Sequence, residues 1–311
     1  MQFSAMRERL IANHKTGLCT IPSDNPGLVY TLTPNKCGFN SKGYRDYEYD
    51  YNKDSNAFRI VVIGDSVAYG HGLGPGEAFP KYLERNLNRT INDERREVQV
   101  ISLARGGYTT SQELIILEQE AFQYDPDLIV WSYVLNDPGH TVFANDNHRA
   151  LYHFEPRFHL EHFFMKSLYK IREGIMRSSC DKAYFAFLHC VYWESIESNL
   201  GKVYELARDH GTPVLFLIHP MFGSSFDYNS YPLAALHNQL GGLASDLGFE
   251  VLDLTQAYLP YDPVQLALKG KNGLVDPVHP NKKGSDIAAS YLFAAVIENE
   301  TFGSWAARKI D

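Results

Sequence analysis

From Phe58 onward, short apolar runs alternate with stretches in which apolar residues recur every three or four positions. Phe58 to Ile63, Val98 to Leu103, Leu128 to Val134, Val214 to Ile218 and Glu250 to Leu254 have strand length and strand composition. Helical periodicity separates them. Thr110-Ser111-Gln112-Glu113 reads as a capping box followed by Leu114, Leu117, Ala121 and Phe122, so a helix is expected just after Gly106-Gly107. Pro280 fits the first turn of a last helix carrying Ile287, Ala288, Tyr291, Leu292, Ala295 and Val296, which puts His279 at its entrance. Strands alternating with helices predict βαβ units, and so an α/β fold whose parallel sheet has helices on both faces.

Residues 1–57 break the pattern. They carry Pro, Gly, Asn and the tyrosine-rich run from Gly43 to Tyr51 without a sustained period, and are expected to form an irregular arm packed on a domain spanning residues 58–300. A stretch from about 138 to 209 is longer than a crossover requires. It holds His140, His148, His153, His159 and His162 among Tyr152, Phe154, Phe158, Phe163, Phe164 and Tyr169, and can either cap a site or pack its rings on the domain. These histidines show no i, i+4 pair with a nearby acid of the kind that marks a metal site.

Length and composition narrow the picture. The 311 residues, 44% hydrophobic, can build one sizeable core, and the formal charge of −8 without a Lys/Arg block argues against a nucleic-acid partner. Cys19, Cys37, Cys180 and Cys190 lack zinc-site spacing and are too sparse for a disulfide scaffold, so free thiols are expected. Met1 to Thr20 lacks a signal-peptide apolar core and no run reaches transmembrane length, which together predict a cytoplasmic protein.

Candidate chemistry gathers at strand ends. The first strand stops at Gly64 and at once presents Asp65 and Ser66, the second leads to Gly107 and the third to Asn136. In a doubly wound sheet these positions share one rim. Near the C-terminus, Asp276 precedes His279 by three residues, close enough for its carboxylate to hold the imidazole. Ser66, His279 and Asp276 are thus the parts of a nucleophile, base and orienting acid. The Ser66 N–H, Gly107 N–H and Asn136 amide are candidate donors to an oxyanion. Gly107 can equally be a turn before the helix, with Gly106 sharing that role, and Asn136 can equally serve the Asp137-Pro138-Gly139 turn. Asp65 is expected to shape the turn under Ser66. His140 and His219 also follow strand ends and are reserve bases, His219 before Pro220 reading as structural.

These blocks resemble the SGNH (GDSL-type) hydrolase superfamily. Gly64-Asp65-Ser66 with Gly70 and Gly72, then Gly107, Asn136-Asp137 and Asp276-Pro277-Val278-His279, occur in the family's order. The resemblance implies a flavodoxin-like three-layer α/β/α sandwich with a mostly parallel five-stranded sheet and no metal or other cofactor. It implies Ser66 as nucleophile, His279 as base, Asp276 as orienter, and Gly107 and Asn136 in the oxyanion hole. One position departs: the family's glycine two residues before the asparagine is Val134 here, which reduces backbone freedom. The arm segment Asn40-Ser41-Lys42-Gly43-Tyr44-Arg45 also resembles the leader of bacterial relatives linked to surface-glycan modification, which directs attention to acylated carbohydrates.

The expected function is therefore a serine esterase acting on short O-acyl esters of a carbohydrate or small metabolite. An acyltransferase sharing the acyl-enzyme, or a binding protein on the same fold, is the alternative. A dinucleotide site fails on spacing, since neither Gly70-x-Gly72 nor Gly72-x-Gly74 continues to a third glycine, and no Gly-Lys-Ser/Thr phosphate loop occurs.

Overall fold

The computed structural model describes residues 19–138, 180 and 183–308, apart from positions 26, 92, 224 and 271. A small antiparallel pair, β1 (Thr20–Pro22) and β2 (Tyr30–Leu32), precedes the main sheet. That sheet contains β3 (Ala57–Gly64), β4 (Glu97–Ser102), β5 (Leu128–Val134), β6 (Val214–His219) and β7 (Glu250–Asp253) in the order β4-β3-β5-β6-β7. Every pairing in it is parallel. This is the flavodoxin-like order, with its reversal between β3 and β5.

Side chains alternate between the two faces of the sheet. Val61, Ile63, Ile101, Ile129, Trp131, Phe216 and Ile218 face one layer, and Ile60, Val62, Val98, Val100, Val130, Leu215 and Leu217 the other. On the second face lies α2 (Phe79–Thr90), whose Phe79, Leu83 and Leu87 join that core; a short turn of helix, α1 (Ser66–Tyr69), precedes it. The first face is covered by α3 (Thr110–Gln119), α4 (Tyr184–His210) and α5 (Ala234–Asp246), through Leu117, Leu200 and Leu240 among others.

Two further turns of helix, α6 (Thr255–Tyr258) and α7 (Pro263–Leu266), lead to a hairpin of β8 (Ala267–Lys269) and β9 (Val275–Pro280). The chain then forms α8 (Lys282–Glu298) and α9 (Glu300–Ala307), which return to the second face. Apolar side chains of both layers are withdrawn from water almost completely, and a buried ring such as Phe58, against Phe302 and Trp305, contributes about 3–5 kcal/mol relative to alanine.

Several sequence expectations shift. The helix after Gly107 is capped one residue earlier, by a box of Thr109 and Gln112, and Glu113 turns inward instead of capping. Pro280 lies before the last long helix instead of in its first turn, and Asn281 caps that helix, accepting from the Lys283 and Gly284 N–H groups. Pro280 ends β9, so Asp276 and His279 stand on a strand of a hairpin. The long stretch after Asn136 contains α4, whose Ile196, Leu200, Val203 and Ala207 pack on the sheet as a crossover helix. His140, His148, His153, His159, His162 and the aromatic residues among them lie outside the described residues.

The free-thiol expectation is overturned: Cys19 is bonded to Cys37 and Cys180 to Cys190, with Cα separations of 5.5 and 5.9 Å. Pairing depends on which loops the fold brings together, which cysteine spacing does not report. Residues 19–56 lie against the first face, burying Leu28, Tyr30, Leu32, Phe39 and Tyr44 in its core. The arm and α2 also cover the free edge of β4. Asn88 bonds both backbone groups of Val98, Glu84 and Lys81 bond those of Val100, and Asp46 accepts from Ser102. Side chains thus pair the outward groups that would otherwise template another strand.

Candidate active site

Strand β3 is buried along its whole length and delivers Gly64, Asp65 and Ser66 to the rim at the reversal of strand order. Gly64 is required there: a Cβ would lie 2.9 Å from both Cβ and O of Ser132 on the neighbouring strand. Asp65 caps α1 through its Oδ1, which accepts from Val67 N at 2.8 Å. Ser66 is the first residue of α1, and helix geometry leaves its N–H without an intrahelical acceptor.

The hairpin strand β9 brings Asp276 and His279 to Ser66. His279 Nε2 lies 2.8 Å from Ser66 Oγ, and its Nδ1 lies 2.8 Å from Asp276 Oδ2. Asp276 Oδ1 accepts from the N–H groups of Val278 and His279 at 2.8 and 3.0 Å, so the turn and the imidazole are held by one carboxylate. Desolvation acts to raise the Asp276 pKa, but these N–H donors and the imidazole outweigh it and hold the carboxyl below its ordinary range. With Nδ1–H donated to Asp276, Nε2 is left as the acceptor facing the hydroxyl. An imidazole so placed can take the serine proton.

Ser66 Oγ has a second neighbour, Asp65 Oδ2 at 2.9 Å, which also accepts from Asn136 Nδ2 at 3.3 Å. One hydroxyl proton is therefore offered two acceptors, and only donation to His279 leads to chemistry. Asn136 stands just beyond β5, beside the serine, with its Oδ1 buried and without a hydrogen-bond partner among the described residues. Val134, at the family's glycine position, ends β5 and donates its N–H to Asp137 Oδ2 at 2.6 Å. The bond closes the turn that carries Asn136. Gly107 has φ of +74°, and a Cβ there would meet nothing within 4 Å among the described residues, whereas one on Gly106 would come within 3.9 Å of Ser66 Cβ. The Gly106-Gly107 loop thus passes beside the serine, and the Gly107 N–H meets no acceptor among the described residues. All five expected site residues converge on one rim.

Three groups escaped the sequence reading. His71 packs against His279 with ring centroids 4.5 Å apart and the rings tilted by 39°, and burial, then the neighbouring imidazole, pull its pKa below the ordinary range. Its place in Gly70-His71-Gly72, beside the serine block, is the only signal the sequence offered. Beneath the site lie Glu113 and Asp137, both buried, with both Glu113 oxygens and Asp137 Oδ1 without a partner among the described residues. Burial first, then repulsion from Asp65 and, for Asp137, from Glu113, pushes both carboxyls well above the ordinary range. Glu113 was hidden as a plausible cap residue. The reserve base His219 is buried against Ser132 Oγ at 2.9 Å, and burial, then His237, pushes it down to about 3, so it sits in the core as a neutral structural group.

Comparison with known proteins agrees with these blocks. Residues 62–287 match the GDSL-like Lipase/Acylhydrolase family. Among solved structures the chain is similar to the acetyl xylan esterase AlAXEase (17% identity over 77% of this chain and 100% of that one, TM-score 0.46). It is also similar to LAE5, an alpha/beta hydrolase enzyme from the metagenome of Lake Arreo, Spain (17% identity, 79% and 96%, TM-score 0.47). A third likeness is to the psychrotrophic esterase EstA from Pseudoalteromonas sp. (13% identity, 77% and 97%, TM-score 0.43). No curated protein matches the sequence. The matched segment takes in the serine block, Gly107, Asn136 and the Asp276/His279 turn and spans well over half the chain, which therefore belongs to the GDSL-like lipase/acylhydrolase family.

Proposed function

We propose that the chain is a serine carboxylic ester hydrolase that removes short, acetyl-like O-acyl groups from a carbohydrate or small metabolite. The observation that carries the reading is the continuous relay from Ser66 Oγ through His279 to Asp276, with 2.8 Å at each link. His279 Nε2 takes the hydroxyl proton as Oγ attacks the ester carbonyl. The tetrahedral oxyanion is met by the Ser66 and Gly107 N–H groups and the Asn136 amide. Collapse breaks the bond to the alcohol, which leaves with the proton from His279 and an acyl-Ser66 behind. Water, deprotonated by His279, then attacks the acyl carbonyl, and the acid departs as Oγ recovers its proton. The acylated-carbohydrate preference rests on the arm segment Asn40 to Arg45.

The two disulfides bear on location. Such bonds persist in oxidising compartments and are rare in the cytoplasm, so they favour an oxidising compartment over the cytoplasmic placement expected from sequence. Among the described residues no helix is long and apolar enough to cross a membrane.

The test is release of p-nitrophenol from esters of increasing acyl length by the wild-type chain and Ser66→Ala. Serine-dependent release peaking at acetyl is expected, with turnover on the order of a thousandfold or more lower in the variant. Equal activity of both proteins overturns the nucleophile assignment. No release by the folded wild type from any ester moves the reading to an acceptor-dependent transferase or a binding protein.

A further inference from the structure

The arm lies outside the family-matched segment, yet it reaches the candidate oxyanion loop. Tyr30, on β2, donates its hydroxyl proton to the carbonyl oxygen of Gly106. That carbonyl and the Gly107 N–H belong to one peptide unit. In a trans peptide the two point in opposite directions, so whatever fixes the carbonyl fixes the N–H. We infer that Tyr30 is a positioning residue of the active site, holding the Gly106–Gly107 peptide so that the Gly107 N–H stays aimed at the oxyanion. This rests on the serine-hydrolase reading above.

Three observations support it. First, the turn is closed by the Tyr108 N–H on the Arg105 carbonyl at 3.3 Å, and its central Gly106–Gly107 peptide has no backbone hydrogen bond of its own among the described residues. Gly106 and Gly107 carry no side chains, a Cβ on Gly107 would touch nothing within 4 Å among the described residues, and a Gly-Gly peptide can rotate at small cost. Second, the attachment is reciprocal. Tyr108 donates to the Tyr30 carbonyl at 2.6 Å, the two rings meet edge to face at 5.3 Å, and Arg105 Nη1 donates to Tyr108 Oη at 3.0 Å. The residues on either side of the glycine pair are thus tied to the arm residue that bonds between them. Third, Val29 is buried with φ of +65°, a conformation costly for a β-branched residue, and it directly precedes Tyr30. Strain of this kind persists where the surroundings demand one side-chain direction. Burial, then the neighbouring Tyr108, raises the Tyr30 pKa, so the phenol remains a donor at every ordinary pH. A hydrogen bond at the carbonyl also polarises the peptide and strengthens its N–H as a donor.

The test is Tyr30→Phe, which keeps the ring and deletes the hydroxyl, read in kcat, KM and inhibition by a short alkylboronic acid that becomes a tetrahedral anion on the serine. Deleting an oxyanion donor costs about a hundredfold to a thousandfold; here the donor remains but is unpinned, so kcat is expected to fall about tenfold. KM should stay within about twofold, and boronate inhibition should weaken by the same factor as kcat, because only tetrahedral states use the N–H. Tyr44→Phe is the control. It deletes another buried arm hydroxyl, the one bonded to Glu120, without touching the Gly106 carbonyl, and its kcat should stay within about twofold of wild type. Rates are taken well below each variant's melting midpoint. A Tyr30→Phe protein with a lower midpoint but unchanged kcat and boronate inhibition makes the residue structural and overturns the inference. So does an equal kcat loss in Tyr44→Phe. Serine-independent turnover in the wild type would instead count against the underlying reading, so the two failures are distinguishable.

Discussion

Replacing Asp276 by asparagine gives a searching test of the relay, because the structure predicts where each hydrogen bond goes. Asp276 Oδ1 accepts from the Val278 and His279 N–H groups, and an asparagine oxygen can keep both. The side-chain nitrogen then replaces Oδ2, 2.8 Å from His279 Nδ1. Two donors cannot face each other, so the imidazole must leave Nδ1 bare and carry its proton on Nε2. Nε2, 2.8 Å from Ser66 Oγ, thereby changes from acceptor to donor and can no longer take the hydroxyl proton. A wrong tautomer in a triad of this kind costs about ten-thousandfold in kcat, or about 5.5 kcal/mol of barrier. Stability should change little, since the turn keeps both backbone bonds. Asp276→Ala loses those bonds as well, each worth about 0.5–1.5 kcal/mol. Steady-state kinetics with a p-nitrophenyl ester, beside thermal melts, measure both effects. An Asp276→Asn enzyme within tenfold of wild type would refute the relay. A loss matched by a large fall in melting midpoint would show that the carboxylate mainly holds the turn.

Two predictions concern stability. Glu113 has its folded-state pKa raised, so folding favours its protonated form; stability is full below the unfolded pKa near 4.5 and is lost as pH rises toward the folded one. Glu113→Gln removes that dependence. In urea titrations the variant should gain on wild type by up to about 1.4 kcal/mol per pH unit within that window, with the His219 contribution cancelling in the difference. A pH-independent offset refutes the raised pKa. Opening the Cys19–Cys37 bond, which links residues 18 apart, as Cys19→Ser/Cys37→Ser should cost about 3 kcal/mol by the chain-entropy estimate, read in the same titrations. Equal stability of the double variant and wild type would show that the arm's packing alone holds it.

The sequence by itself determined the five strands of the main sheet, because their apolar runs are bounded by turns and read locally. It also determined the five candidate site residues, because chain ends of parallel strands must share a rim and a three-residue spacing lets Asp276 reach His279. Tertiary structure decided what depends on partners distant in sequence. Which cysteines pair, and that Glu113 turns inward while Thr109 caps its helix, follow from how elements pack. That Asp276 and His279 ride on a hairpin follows from β8, too short and too irregular to announce itself. His71 became visible only when folding laid it against His279, some two hundred residues away. Tyr30 shows the limit most plainly. Its hydroxyl meets the Gly106 carbonyl 76 residues on, a contact set by the docking of an arm with no periodicity of its own. Local pattern fixes which backbone forms strand or helix, whereas a hydrogen bond across that distance exists only once the layers have closed.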